Sequence, residues 1–204
     1  RLSGKASAGD AARGTRYHPP PVCPPARSFV QVSVQSHPVH VAVSGEGPPA
    51  LFLHGVPDTA DLWDRVTQGR HRDYRCDAPD FQGIHRSARN PDFDYSFEGY
   101  AAWVYALPPA LGLQEPITLV VHDWGGLIGL AWACRHPQRI ASIVVLNTVF
   151  DPRYRGHLLA RLWRLPLVGE LVMKALSRPP LMARGMRGSG HPPSSAGATE
   201  HPFP

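Results

Sequence analysis

The alternation of apolar and polar residues marks out strands and helices along most of the chain. Phe29-Val-Gln-Val-Ser-Val alternates with a period of two, as a half-buried strand does, and Val39-His-Val-Ala-Val repeats it. Ala50-Leu-Phe-Leu is a short continuous apolar run ending at His54-Gly55, the texture of a strand covered on both faces. Residues 59–68 read as a helix capped by Asp58 or Thr59, and residues 74–77 as a further strand. Ser96-Phe-Glu-Gly-Tyr opens a helix reaching Leu107 or Leu111, with Pro108-Pro109 expected to break or kink it. Ile117-Thr-Leu-Val-Val is the clearest buried strand, and it passes through His122-Asp-Trp-Gly-Gly into an apolar helix, 127–135. Residues 140–146 form the last clear strand. Strands alternating with helices imply an α/β domain with a mostly parallel sheet.

Both ends have a different texture. Eleven of the 23 prolines fall in residues 1–27 and 179–204, and from Ala183 onward there is no Leu, Ile or Val. Such segments bury too little apolar surface to offset the entropy of ordering, so residues 1–27 and 183–204 read as disordered tails. Between them, residues 28–152 read as the core and residues 153–182 as the start of a helical cap. The tails also hold the whole net charge of +5, because residues 28–182 balance fourteen basic against fourteen acidic side chains. A neutral globular part without basic clusters interleaved with aromatics argues against nucleic-acid binding. No run approaches the ~18 apolar residues of a membrane span. Cys23, Cys76 and Cys134 fit no zinc or redox spacing. Cys76 and Cys134 read as small buried hydrophobes in a reducing, cytoplasmic compartment.

The chemistry concentrates at Val121-His-Asp-Trp-Gly-Gly. A nucleophile on a sharp strand-to-helix turn needs tiny neighbours, because that backbone is strained and crowds the next helix. Gly125 and Gly126 supply them. Ser is the usual occupant; a carboxylate there would attack carbon and form an ester. The helix N-terminus favours its negative charge. Read alone, Asp123 serves equally well as a helix N-cap. Two other loops weigh against that: His54-Gly-Val-Pro follows one strand, and Asp80-Phe-Gln-Gly-Ile-His-Arg-Ser follows the next.

With His54-Gly-Val-Pro-Asp-Thr, Ala78-Pro-Asp-Phe-Gln-Gly-Ile-His-Arg-Ser, Val121-His-Asp-Trp-Gly-Gly and Val145-Leu-Asn-Thr in this order, residues 28–178 resemble the haloalkane dehalogenase and epoxide hydrolase group of α/β-hydrolases. The resemblance implies an α/β-hydrolase fold: a doubly wound, mostly parallel sheet, the start of a helical cap, and the last strands missing. It implies Asp123 as nucleophile, and the N–H groups of Val56 and Trp124 as an oxyanion hole or leaving-group site. The Trp124 ring would be one half of a halide site. His54, Gly55, His122, Gly125 and Gly126 would support the loops. A histidine would activate water to hydrolyse the ester on a small apolar substrate, with no metal or cofactor. Asn147-Thr148 and Trp163-Arg-Leu-Pro-Leu-Val-Gly-Glu-Leu favour the dehalogenase side. Val56 favours the epoxide hydrolase side, because a halide-holding Asn often stands there. Asn147 occupies a place where some dehalogenases carry their acid and cannot serve, so the acid and histidine are expected beyond this chain, leaving it without turnover or, at most, a non-catalytic ligand binder. Asp151, His191 and His201 are weak substitutes. His85 reads as exposed, Trp163 as a cap residue with a possible halide role, and residues 158–176 as cap packing.

Overall fold

The computed structural model describes residues 27–113 and 116–149, with isolated positions between 165 and 174. Residues 1–26 and 183–204 (His191 and His201 among them), Asp151 and Trp163 lie outside the described residues, and so does nearly all of residues 153–182.

Among the described residues, six strands form one sheet: β1 (Ser28–Val34), β2 (His37–Ser44), β3 (Pro49–Leu53), β4 (Arg75–Pro79), β5 (Ile117–His122) and β6 (Ile140–Leu146), in the order β1-β2-β4-β3-β5-β6. β4, β3, β5 and β6 run parallel, while β1 and β2 form an antiparallel hairpin joined to β4. The expected α/β-hydrolase architecture is therefore present. The strand order reverses at β3, with β4 on one side and β5 on the other, and clefts at the carboxyl ends of strands at such a switch point are where α/β folds bind ligands. Leu53 pairs with Val121, so the residues that follow, His54-Gly55 and His122-Asp123, leave the sheet side by side.

The pleat sorts β3 and β5 into two cores. Leu51, Leu53, Leu119 and Val121 pack beneath α2 (Phe97–Ala110) and α3 (Asp123–Arg135), against Trp103, Leu107, Ile128 and Trp132. Ala50, Phe52 and Val120 face the other way, onto Ala60 and Trp63 of a 3-10 turn that leads into α1 (Asp64–Arg70). Each fully buried Leu or Val contributes roughly 1.5–3 kcal/mol, so the α2/α3 face carries most of the stability.

Four local expectations need correction. The segment read as a helix from residue 59 begins as a 3-10 turn (Ala60–Trp63), with the Thr59 side chain accepting from the Asp61 N–H. Pro108-Pro109 does not break α2. Both lie in its last turn, where proline's fixed φ is helical. The helix then stops at Gly112 (φ +70°), whose N–H donates to Pro109 O while the Leu113 N–H donates to Pro108 O. Cys76 is buried as expected, but Cys134 is exposed on the outer side of α3. β1 is mostly exposed rather than half-buried. Phe29 itself stays half-exposed, with the guanidinium groups of Arg27 and Arg86 and the stacked His40 ring against it.

At the far edge, β6 carries no charged residue, and Ile143, Val144, Val145 and Leu146 are 40–47% exposed. One buried charge also stands out. Asp77 in β4 is fully buried; one carboxylate oxygen accepts from Arg75 at 3.1 Å and the other has no hydrogen-bond partner among the described residues. Burial pushes its pKa up to about 6 from 3.8, with Arg75 opposing only in part. A carboxyl whose folded pKa is raised stabilises the fold below its unfolded pKa and loses that contribution as pH rises through the folded one. Asp77→Asn should therefore gain stability over the parent between pH 4 and 7, by roughly 3 kcal/mol at most. Chemical denaturation of both chains across that range would measure the difference; a constant difference would contradict the assignment.

Candidate active site

The β5–α3 junction is built around one unusual backbone. Asp123 is the first residue of α3, yet its φ is +50°, in the left-handed region that costs a non-glycine residue about 1–3 kcal/mol. Its side chain does not cap its own helix. Oδ1 accepts the Val56 N–H at 3.0 Å across 67 residues of sequence, so the N-cap reading of Asp123 does not hold. Thr148 holds the other side of the turn, its Oγ1 donating to the Asp123 carbonyl at 2.7 Å. Val145-Leu-Asn-Thr marks Thr148 in the sequence as part of a motif, but nothing there points to its contact with the Asp123 carbonyl.

The glycines show how closely the segments meet. A Cβ on Gly55 would lie 2.4 Å from the Asp123 Cβ and 2.5 Å from its Oδ1. On Gly125 it would lie 2.4 Å from the carbonyl oxygens of both Leu53 and His54. On Gly126 it would meet Thr148 Oγ1 at 2.2 Å. These residues are glycine because three other segments occupy the space of a side chain.

His54 is completely buried at the end of β3. Its Nε2 accepts the Phe81 N–H at 3.0 Å, and its Nδ1 lies 2.7 Å from Gly55 O. A backbone N–H only donates, so Nε2 is bare and the proton sits on Nδ1. Burial lowers the His54 pKa, opposed by the Gly55 carbonyl and by Asp80 and Asp58. Beside it, Asp80 organises the loop after β4, its carboxylate accepting from the N–H groups of Ala60 (2.7 Å) and Arg86 (3.3 Å). His122 Nδ1 is 3.8 Å from Asp58 Oδ2, too far for a hydrogen bond. Its ring meets Trp63 edge-on.

The Val56 and Trp124 side chains are 42% and 49% exposed. Of the two backbone donors expected there, only that of Val56 reaches Asp123 among the described residues. Asn147 has φ +39°, so the chain turns sharply before Thr148. Among the described residues there is no cluster with metal-ligand geometry and no helix long and apolar enough to cross a membrane.

This junction, its glycines and the loop after β3 agree with a match of residues 48–196 to the model of the alpha/beta hydrolase fold. The chain belongs to that family. It is similar, at 36% identity over 112 residues, to the cis-3-alkyl-4-alkyloxetan-2-one decarboxylase of Shewanella oneidensis, covering 54% of this chain and 35% of that protein. A haloalkane dehalogenase of Agrobacterium fabrum is 35% identical over 111 residues, with 54% and 36% covered. Among solved structures, the haloalkane dehalogenase DatA of Agrobacterium tumefaciens aligns with a TM-score of 0.70 at 26% identity, covering 87% of this chain and 62% of that one. An epoxide hydrolase of Vigna radiata aligns at 0.62 with 26% identity, covering 74% and 54%. The chain thus spans about a third of the length of these two curated relatives.

The geometry makes Gly125 a sensitive position. Gly125→Ala drives a methyl group into two backbone carbonyls that cannot rotate away, and should cost about 1–3 kcal/mol, measured by chemical denaturation. A neutral substitution would mean that the turn is looser than these distances.

Proposed function

We propose that this chain is a hydrolase most like haloalkane dehalogenases, with Asp123 as its nucleophile. One observation carries the reading. The Val56 N–H engages Oδ1, while Oδ2 accepts no hydrogen bond among the described residues. A carboxylate held by one oxygen presents the other for attack at a saturated carbon. Oδ2 bonds to that carbon, the carbon–halogen bond breaks, and halide leaves beside the Trp124 ring. Oδ1 becomes the ester carbonyl oxygen. When water later adds to the ester, negative charge develops on Oδ1, and a donor already aimed there stabilises it. In this role Val56 N–H, joined by Trp124 N–H, is the oxyanion hole. His54, Gly55, His122, Gly125 and Gly126 support the loops.

Hydrolysis of the ester needs a base. Both ring nitrogens of His54 are engaged, and His122 Nδ1 faces Asp58. We therefore assign ester formation to the described residues and water activation to an acid and a histidine outside them. The reading invokes a small apolar substrate and water, and no metal, cofactor, nucleic acid or membrane. The free thiols of Cys76 and Cys134 suit a reducing compartment such as the cytoplasm.

Val56 favours a second reading. An apolar side chain gives no amide to a departing halide, whereas an opened epoxide releases no free anion: its oxygen stays on the alkyl group and takes a proton to become a hydroxyl. The likeness to the oxetanone decarboxylase adds a strained lactone as a third electrophile for the same carboxylate. Incubation with butyl bromide, styrene oxide or a cis-dialkyl oxetanone, followed by peptide mass mapping, separates these readings by which probe reacts. The expected result is a butyl adduct on the Asp123 peptide, absent from Asp123→Asn. No adduct, or one that persists in Asp123→Asn without hydrolysis of the new amide back to Asp, would overturn the nucleophile assignment.

A further inference from the structure

The structure assigns His54 a positioning role that acts through one peptide group: its Nδ1–H holds the Gly55 carbonyl, and the same peptide's N–H, on Val56, holds Asp123 Oδ1. The inference rests on the reading of Asp123 as nucleophile and goes beyond it by naming what aims the oxyanion donor. Gly55 O and Val56 N belong to one planar unit, so fixing the oxygen fixes the direction of the N–H. The two hydrogen bonds, 2.7 Å and 3.0 Å, form a chain of imidazole, peptide and carboxylate. In such a chain a carbonyl that accepts a bond leaves its own N–H a stronger donor. The unit cannot turn away, because Gly55 is pressed against the Asp123 side chain so closely that a Cβ would not fit.

The Phe81 N–H fixes the direction of the chain. By donating to Nε2 it forces the proton onto Nδ1, where the Gly55 carbonyl requires it. Protonating Nε2 would set two donors face to face inside a fully buried site. Charged and titratable groups face His54 from three elements: Asp80 after β4, Asp58 on the loop after β3, and His122 at the end of β5. Burial outweighs the two carboxylates and keeps the ring neutral. A neutral, buried imidazole with both nitrogens engaged cannot take up a proton from water, so His54 acts only through the peptide.

Two substitutions separate this role from a plain weld between loops. His54→Asn places an amide N–H where Nδ1 stood and loses the acceptor for Phe81. His54→Gln places an amide oxygen where Nε2 stood and loses the donor to Gly55. The readout is the rate of Asp123 butylation by butyl bromide in the full chain, with circular dichroism melts as the check on folding. The expected order is that His54→Asn keeps most of the rate while His54→Gln is at least about tenfold slower. Equal losses, or the reverse order, would overturn the relay. If either variant fails to fold, nitrogen-15 spectra of the wild-type imidazole decide instead. A protonated Nδ1 and bare Nε2, unchanged from pH 8 to 6, support the relay; the opposite tautomer, or titration near pH 6.5, overturns it. Absence of butylation in the wild-type chain would remove the nucleophile reading alone, because the spectra still report whether the hydrogen-bond chain exists.

Discussion

Everything distinctive about this molecule depends on Asp123 adopting a backbone conformation that aspartate avoids. A φ of +50° costs about 1–3 kcal/mol and persists only where the surroundings leave no alternative. Here three segments close in. The Val56 N–H holds the carboxylate, Thr148 Oγ1 holds the carbonyl, and Gly125 lies against the backbone of Leu53 and His54. Had the turn relaxed into a regular helix start, the carboxylate would have been free to cap its own helix, and the 3.0 Å bond to Val56 would be lost.

The sheet makes that arrangement possible. Parallel pairing of Leu53 with Val121 delivers the two loops to the same edge at the same height, at the point where the strand order switches from β4 on one side of β3 to β5 on the other. The two cores then fix both strands: α2 and α3 press on one face, and Trp63 and Ala60 on the other. His54 joins the end of β3 to the loop after β4, and Asp80 ties that loop to Ala60. A strained residue is thus held by contacts whose own positions are set by packing well away from it.

Much of this could be read from the residues. Alternation gave β1 and β2, the β-branched run gave β5, and all six strands fall within two residues of the expected bounds, because local pattern and burial agree there. Asp123, Gly125, Gly126 and the His54-Gly-Val-Pro loop were legible because a sharp turn restricts which residues can stand in it. Contacts between distant segments were not legible. Nothing in the sequence pairs Thr148 with the Asp123 carbonyl, or places the guanidinium groups of Arg27 and Arg86 over Phe29. Pro108-Pro109 misled because its effect depends on position: inside a helix it breaks the ladder, and in the last turn it does not. Cys134 misled because one side of a helix cannot be told from another when nearly every residue on it is apolar or small.

The central claim is that one oxygen of Asp123 is held and the other is free to react. It is tested most directly by a crystal structure of the chain after exposure to butyl bromide. The account predicts continuous density from Oδ2 to the butyl group, with Oδ1 still within hydrogen-bond distance of the Val56 nitrogen. A butyl group on Oδ1, or on another residue with Asp123 unmodified, would contradict it.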